Sequence, residues 1–173
     1  MKYIEIITAI LGLMSIFSLA KNKSIGWWIG LIQVLLCCIV FYQSKLYYSF
    51  ALHIFYVFLQ FYGIFCWKNN KAIKYEACHM FISILAAIAI NVLFAIYFKH
   101  QSAVDATIMM LSIYATILMA KKITTTWDMY IISDLFAIHL YMGKHLYYMS
   151  FMYFVYLLFC IYGYISWKKQ VCS

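Results

Sequence analysis

Long apolar runs, separated by short polar stretches that carry lysines, organise the whole chain. They cover roughly 3–20, 25–42, 49–67, 79–98, 105–120, 127–142 and 149–167. Each approaches the ~20 residues that a helix needs to cross the hydrocarbon of a bilayer. The pattern therefore predicts an all-α integral membrane protein with seven transmembrane helices in a single domain over residues 1–173. No proline interrupts any run, so unbroken helices are expected.

The polar stretches between the runs predict an orientation. Lys21, Lys23, Lys68, Lys71, Lys74, Lys121, Lys122, Lys168 and Lys169 fall on one side, and Lys2, Lys45, Lys99 and Lys144 on the other. Basic residues accumulate on the cytoplasmic side. The N-terminus is thus expected outside and the C-terminus in the cytoplasm, which an odd number of spans requires. Trp27, Trp28, Tyr47, Tyr48, Trp67, Trp127, Tyr147, Tyr148 and Trp167 near span ends suit the two interfacial aromatic belts.

Composition supports this reading. The 173 residues are 68% hydrophobic and 10% charged, against roughly 45–50% and about 25% in soluble domains. So few charges exclude a soluble enzyme, a disordered chain and a disulfide-built secreted module. The length leaves no room for a soluble catalytic domain beside the spans. The net charge of +8 does not point to nucleic acid, because the lysines sit in loops and do not line one helix face. Cys37, Cys38, Cys66, Cys78, Cys160 and Cys172 lack CxxC spacing and read as small buried hydrophobes. The first run has an acid, Glu5, near its start and no small-residue cleavage site, so it reads as a retained span and not a signal peptide.

Shifting the chain by 100 residues brings identities into one ungapped register. Ala20-Lys21 meets Ala120-Lys121, and Trp27 meets Trp127. Leu46-Tyr47-Tyr48 meets Leu146-Tyr147-Tyr148, and Tyr56 meets Tyr156. Tyr62-Gly63 meets Tyr162-Gly163, Trp67-Lys68 meets Trp167-Lys168, and Glu5 meets the acid Asp105. This predicts two three-helix repeats, 1–70 and 101–170, with a linker helix at 79–98. The inserted span restores direction, so the repeats are parallel, and a substrate is expected near the midplane.

Polar residues at membrane depth cost free energy and are the default functional candidates. Asp134 is the sharpest: an acid mid-way along the sixth span costs about 2.5–3.5 kcal/mol to insert. Trp127, Tyr130, Asp134 and Tyr141 follow helical spacing on one face. The third span carries His53, Tyr56, Gln60, Gly63 and Trp67; the seventh repeats the stripe as Tyr153, Tyr156, Cys160, Gly163 and Trp167. Gly26, Gly30, Gly63 and Gly163 read as close-packing positions. Gln33 and Asn91 fit interhelical hydrogen bonding as well as substrate contact. His53 and His139 are isolated, without metal-ligand spacing, and read as structural. A carboxylate beside aromatic faces suits a flat cationic ligand, since cations are drawn to both.

No catalytic, metal or cofactor motif is present. A retinal protein is excluded because the seventh span has no lysine for a Schiff base. Neither an enzyme nor a bound cofactor is expected, leaving a carrier or a non-transporting scaffold or receptor.

Leu46-Tyr47, then Leu59-Gln60-Phe61-Tyr62-Gly63 and Trp67, resemble the nicotinamide riboside transporter (PnuC) family. So do Trp127, Asp134, Leu140-Tyr141, Gly143-Lys144, Leu146-Tyr147, Gly163 and Trp167, in order over nearly the whole chain. The resemblance implies a fold related to the SWEET transporters, three plus one plus three helices, usually as a homotrimer. It implies uptake of a vitamin by facilitated diffusion across the bacterial inner membrane, with a cytoplasmic kinase trapping the product. Members carry nicotinamide riboside, thiamine or riboflavin. The substrate-contacting positions carried over are Trp127, Tyr130, Asp134 and Gln60; Tyr56, Gln33 and Asn91 are added as polar or aromatic neighbours. The chain departs from the family pattern where Tyr130 replaces a second tryptophan and Leu46-Tyr47-Tyr48-Ser49 lacks an acid. These departures leave nicotinamide riboside as first expectation and thiamine, also flat and cationic, as the alternative.

Overall fold

The computed structural model describes residues 2–43, 47–69, 85, 100–143, 145 and 147–172. Six helices are defined: α1 Lys2–Ala20, α2 Ile25–Gln43, α3 Tyr47–Asn69, α4 His100–Ala120, α5 Thr126–Gly143 and α6 Tyr147–Cys172. They match six of the predicted spans. The span expected at 79–98 lies outside the described residues. α4 and α6 overrun their apolar runs furthest. α4 begins at His100, and α6 continues through Lys168-Lys169-Gln170 to Cys172. An apolar run marks lipid depth, whereas helical hydrogen bonding continues until a breaker stops it, and none occurs here.

The chain divides into two compact units, Met1–Lys71 and Ala72–Ser173. In the first, α2 packs against both α1 and α3; in the second, α5 packs against both α4 and α6. Among the described residues each unit is thus a three-helix arrangement around a middle helix.

The turns joining the first two helices of each unit close in the same way. Lys21 N–H donates to Phe17 O, Asn22 to Leu19 and Lys23 to Ser18; then Gly26 donates to Lys23 and Trp27 to Ser24. One hundred residues later, Lys121 donates to Ile117, Lys122 to Met119, Ile123 to Leu118, Thr126 to Ile123 and Trp127 to Thr124. This is the Schellman closure, in which the residue after the helix turns left-handed and the orphan carbonyls of the last turn are satisfied. That residue is Asn22 (φ 56°) in one unit and Lys122 (φ 57°) in the other. Asparagine tolerates this region better than lysine does.

A side chain then ties the first helix to the second in each unit, from opposite sides. Ser15 Oγ on α1 donates to Gly26 O on α2 at 2.8 Å. In the second unit Thr126 Oγ1 on α5 donates to Ala115 O on α4 at 2.6 Å.

Large apolar side chains point outward from each of these helices, among them Ile10, Trp28, Phe58, Met110, Leu135 and Phe151. Met149–Val171 of α6 is a 23-residue stretch of mean hydropathy 1.6, long and apolar enough to cross a membrane; Ile6–Ala20, Ile25–Val40 and Thr107–Ala120 are shorter apolar helical runs. Lipid is the solvent that suits such faces.

Candidate functional site

The second unit holds the polar centre, and α5 supplies it. Trp127 occupies the first turn of α5, wholly buried. Its indole lies over Gly163 of α6, where a Cβ would come within 2.6 Å of the ring. Trp167, one turn further along α6, meets it edge-on at 5.4 Å and 90°. Two turns on from Trp127, Asp134 also faces α6. Its Oδ2 accepts from the Cys160 thiol at 3.5 Å, with Asp134 only 6% exposed and Cys160 0%. No other described group hydrogen-bonds the carboxylate. One further pair of turns brings Tyr141 into a stacked contact with Tyr153 of α6, at 5.3 Å and 23°. Tyr153 in turn lies 6.1 Å from Tyr156 and within electrostatic range of Asp134.

Trp127, Asp134 and Tyr141, seven residues apart in turn, therefore form one seam along α6. Tyr130 leaves that seam. Its ring is 6.5 Å from Trp127, but its hydroxyl reaches α4 and pairs with Thr116 Oγ1 at 2.9 Å. There it joins residues that hydropathy alone does not mark. Thr116 donates to Ser112 O at 2.7 Å. Ser112 and Ser133 share a hydroxyl hydrogen bond at 3.0 Å, and Ser133 reaches Ile108 O at 3.3 Å. α5 is thus bound by hydroxyls on its α4 side and by tryptophan, thiol and tyrosine on its α6 side. Leu111, Ala115, Leu118, Ile123 and Met129 fill the apolar core between α4 and α5.

The first unit repeats the tryptophan seat and lacks the acid. Trp27 lies over Gly63, where a Cβ would stand 2.3 Å from ring carbons, and meets Trp67 edge-on at 5.9 Å and 75°. Gln60 of α3 lays its amide against Gly30 of α2 beside Ser15; a Cβ on Gly30 would come within 3.0 Å of both. The buried Gln60 Oε1, Trp27 Nε1 and Trp127 Nε1 have no hydrogen-bond partner among the described residues. Tyr56 meets His53 edge-on at 5.8 Å. Gln33 turns along its own helix, with Nε2 4.0 Å from Cys37 Sγ. Asn91 lies outside the described residues. Trp127, Tyr130 and Asp134 are thus collected on α5 of one unit, and Gln33, Tyr56 and Gln60 on α2 and α3 of the other.

Among the described residues no group of three or more His, Cys, Asp or Glu side chains could hold a metal ion. In the turn before α5, Lys122 is buried, and the loss of water holds its ammonium below the ordinary lysine pKa.

The family model of the nicotinamide mononucleotide transporter matches residues 2–169. The chain belongs to that family. Its relatives in the nicotinamide mononucleotide transporter family include the nicotinamide riboside transporter PnuC of Escherichia coli strain K12, 24% identical over 178 residues, which span 82% of this chain and 74% of that one. The PnuC of Shigella flexneri matches to the same extent. Among solved structures, the crystal structure of the vitamin B3 transporter PnuC superposes with a TM-score of 0.78 at 23% identity, over 98% of this chain and 82% of that chain. The all-helical fold is therefore shared with that transporter. Family membership makes the chain a membrane transport protein of the bacterial inner membrane.

Proposed function

We propose that the chain carries nicotinamide riboside inward across the inner membrane by facilitated diffusion, with intracellular phosphorylation trapping the product. Asp134 is the observation that carries this reading. An acid at membrane depth, one oxygen held by a thiol and the other engaged by no described residue, suits a ligand with a delocalised positive charge. The pyridinium of nicotinamide riboside is such a group. A mononucleotide would bring a phosphate to the same place. All thirteen Lys and Arg residues are lysines at the span ends, with none at depth to meet it, so the unphosphorylated riboside, a cation, is favoured. The Tyr141–Tyr153–Tyr156 cluster supplies ring faces near the carboxylate.

The paired turn geometry at Asn22 and Lys122, and the paired seats of Trp27 and Trp127, support two copies of one three-helix repeat. The nine-to-four division of lysines supports an outside N-terminus and a cytoplasmic C-terminus. A homotrimer is proposed from the family likeness alone. C-terminal fusions to a periplasmic enzyme and to a cytoplasmic fluorophore test the orientation: the first should be inactive and the second bright.

Uptake of labelled nicotinamide riboside and thiamine, by cells lacking their own carriers and expressing the chain, tests the substrate. Nicotinamide riboside uptake that thiamine fails to displace supports the reading. Uptake of thiamine alone overturns it.

A further inference from the structure

We infer that Cys160 is a positioning residue for transport: its thiol holds one oxygen of Asp134 and leaves the other directed to the cationic substrate. This rests on the carrier reading above. The two side chains belong to different helices, α5 and α6, and their alignment is fixed from both ends. Trp127 seats over Gly163 on one side of the pair, and Tyr141 stacks on Tyr153 on the other. Between these contacts the Cys160 thiol donates to Asp134 Oδ2 at 3.5 Å, with Cys160 wholly buried.

The chemistry suits orientation. A thiol is a weak donor. It fixes one carboxylate oxygen without cancelling the charge, as a lysine or arginine would. No other described group hydrogen-bonds the carboxylate, so among the described residues the second oxygen is uncommitted. Without the thiol the carboxylate could rotate about its own side-chain torsion, and substrate would have to stop that motion on binding. The pair is confined to one unit. One hundred residues earlier, the positions of Asp134 and Cys160 are taken by Val34 and Gln60. Cys160 therefore belongs with the acid and is not a residue kept by the repeat.

The test uses the purified full-length chain in proteoliposomes with labelled nicotinamide riboside, comparing wild type with Cys160→Ser, Cys160→Ala and Cys160→Val. The last fills the thiol's space without a donor. Removal of the donor in Cys160→Ala and Cys160→Val should raise KM by roughly three- to tenfold, with Vmax and melting temperature near wild type. Cys160→Ser should return KM to within about twofold. An unchanged KM in both donorless variants overturns the inference, as does a loss confined to Vmax and melting temperature. Wild-type vesicles that take up neither nicotinamide riboside nor thiamine overturn the carrier reading itself.

Discussion

Replacing Gly63 with alanine puts a carbon where a tryptophan already stands. The new Cβ would lie 2.3 Å from Cε3 and Cζ3 of Trp27. Carbon atoms in contact settle at about 3.5–4.0 Å, so ring or helix must yield by more than about 1 Å. The ring has little room to retreat, because Trp27 is 1% exposed and Trp67 closes on it edge-on. Overpacking of this kind costs about 1–3 kcal/mol. The helix propensity of alanine over glycine returns roughly 1 kcal/mol. A net loss of up to about 2 kcal/mol is expected, or a drop of up to about 8 °C at about 2–4 °C per kcal/mol for a chain of this size. Gly163→Ala, with its closest contact at 2.6 Å, should lose less. Gly143→Ala is the control: among the described residues nothing lies within 4 Å of its Cβ position, so it should melt with or slightly above wild type. Thermal melting of the purified protein in detergent reads all three. Trp27→Phe in the Gly63→Ala background should recover part of the loss. Equal melting of Gly63→Ala and Gly143→Ala would refute the view that glycine at 63 exists to seat the tryptophan.

Tyr130→Phe removes the hydroxyl that meets Thr116 and should lower stability by about 0.5–1.5 kcal/mol, read by the same melts. His145→Gly relieves a left-handed residue, φ 57°, in the exposed turn before α6. A gain of up to about 1 kcal/mol is expected, reduced by loss of the His145–Tyr147 hydrogen bond. Lys122 gives a pH dependence. Its folded pKa is lowered by burial from the ordinary 10.5, so the unfolded chain binds the proton more tightly. The cost of burying the ammonium is complete below the lowered pKa and fades as pH rises toward 10.5. The melting advantage of Lys122→Met over wild type should therefore shrink between pH 7 and pH 10; an advantage that grew would refute this sign.

Much of the fold was legible because hydropathy and aromatic placement are local properties. Trp27 with Trp127 and Gly63 with Gly163 could be paired by number alone, and the structure gives each unit the same close contact of tryptophan on glycine. The Ser112–Ser133 and Thr116–Tyr130 links were not legible. A serine inside an apolar run scarcely changes its hydropathy, and its partner depends on how two helices are rotated against each other. Tyr130 shows the same limit. Helical spacing put it on the Trp127 face, but the α4 hydroxyls draw its own hydroxyl away. Cys160 was visible as one member of a repeated stripe, and only the packing of α6 on α5 gave it the carboxylate as partner.

The central claim is that a carboxylate at membrane depth binds a cationic vitamin for passage. Uptake of labelled nicotinamide riboside into proteoliposomes by wild type and Asp134→Asn tests it most directly. Saturable uptake by wild type, lost in an Asp134→Asn protein that reconstitutes and melts normally, is the expected result. Saturable uptake with the same KM in both proteins would contradict it.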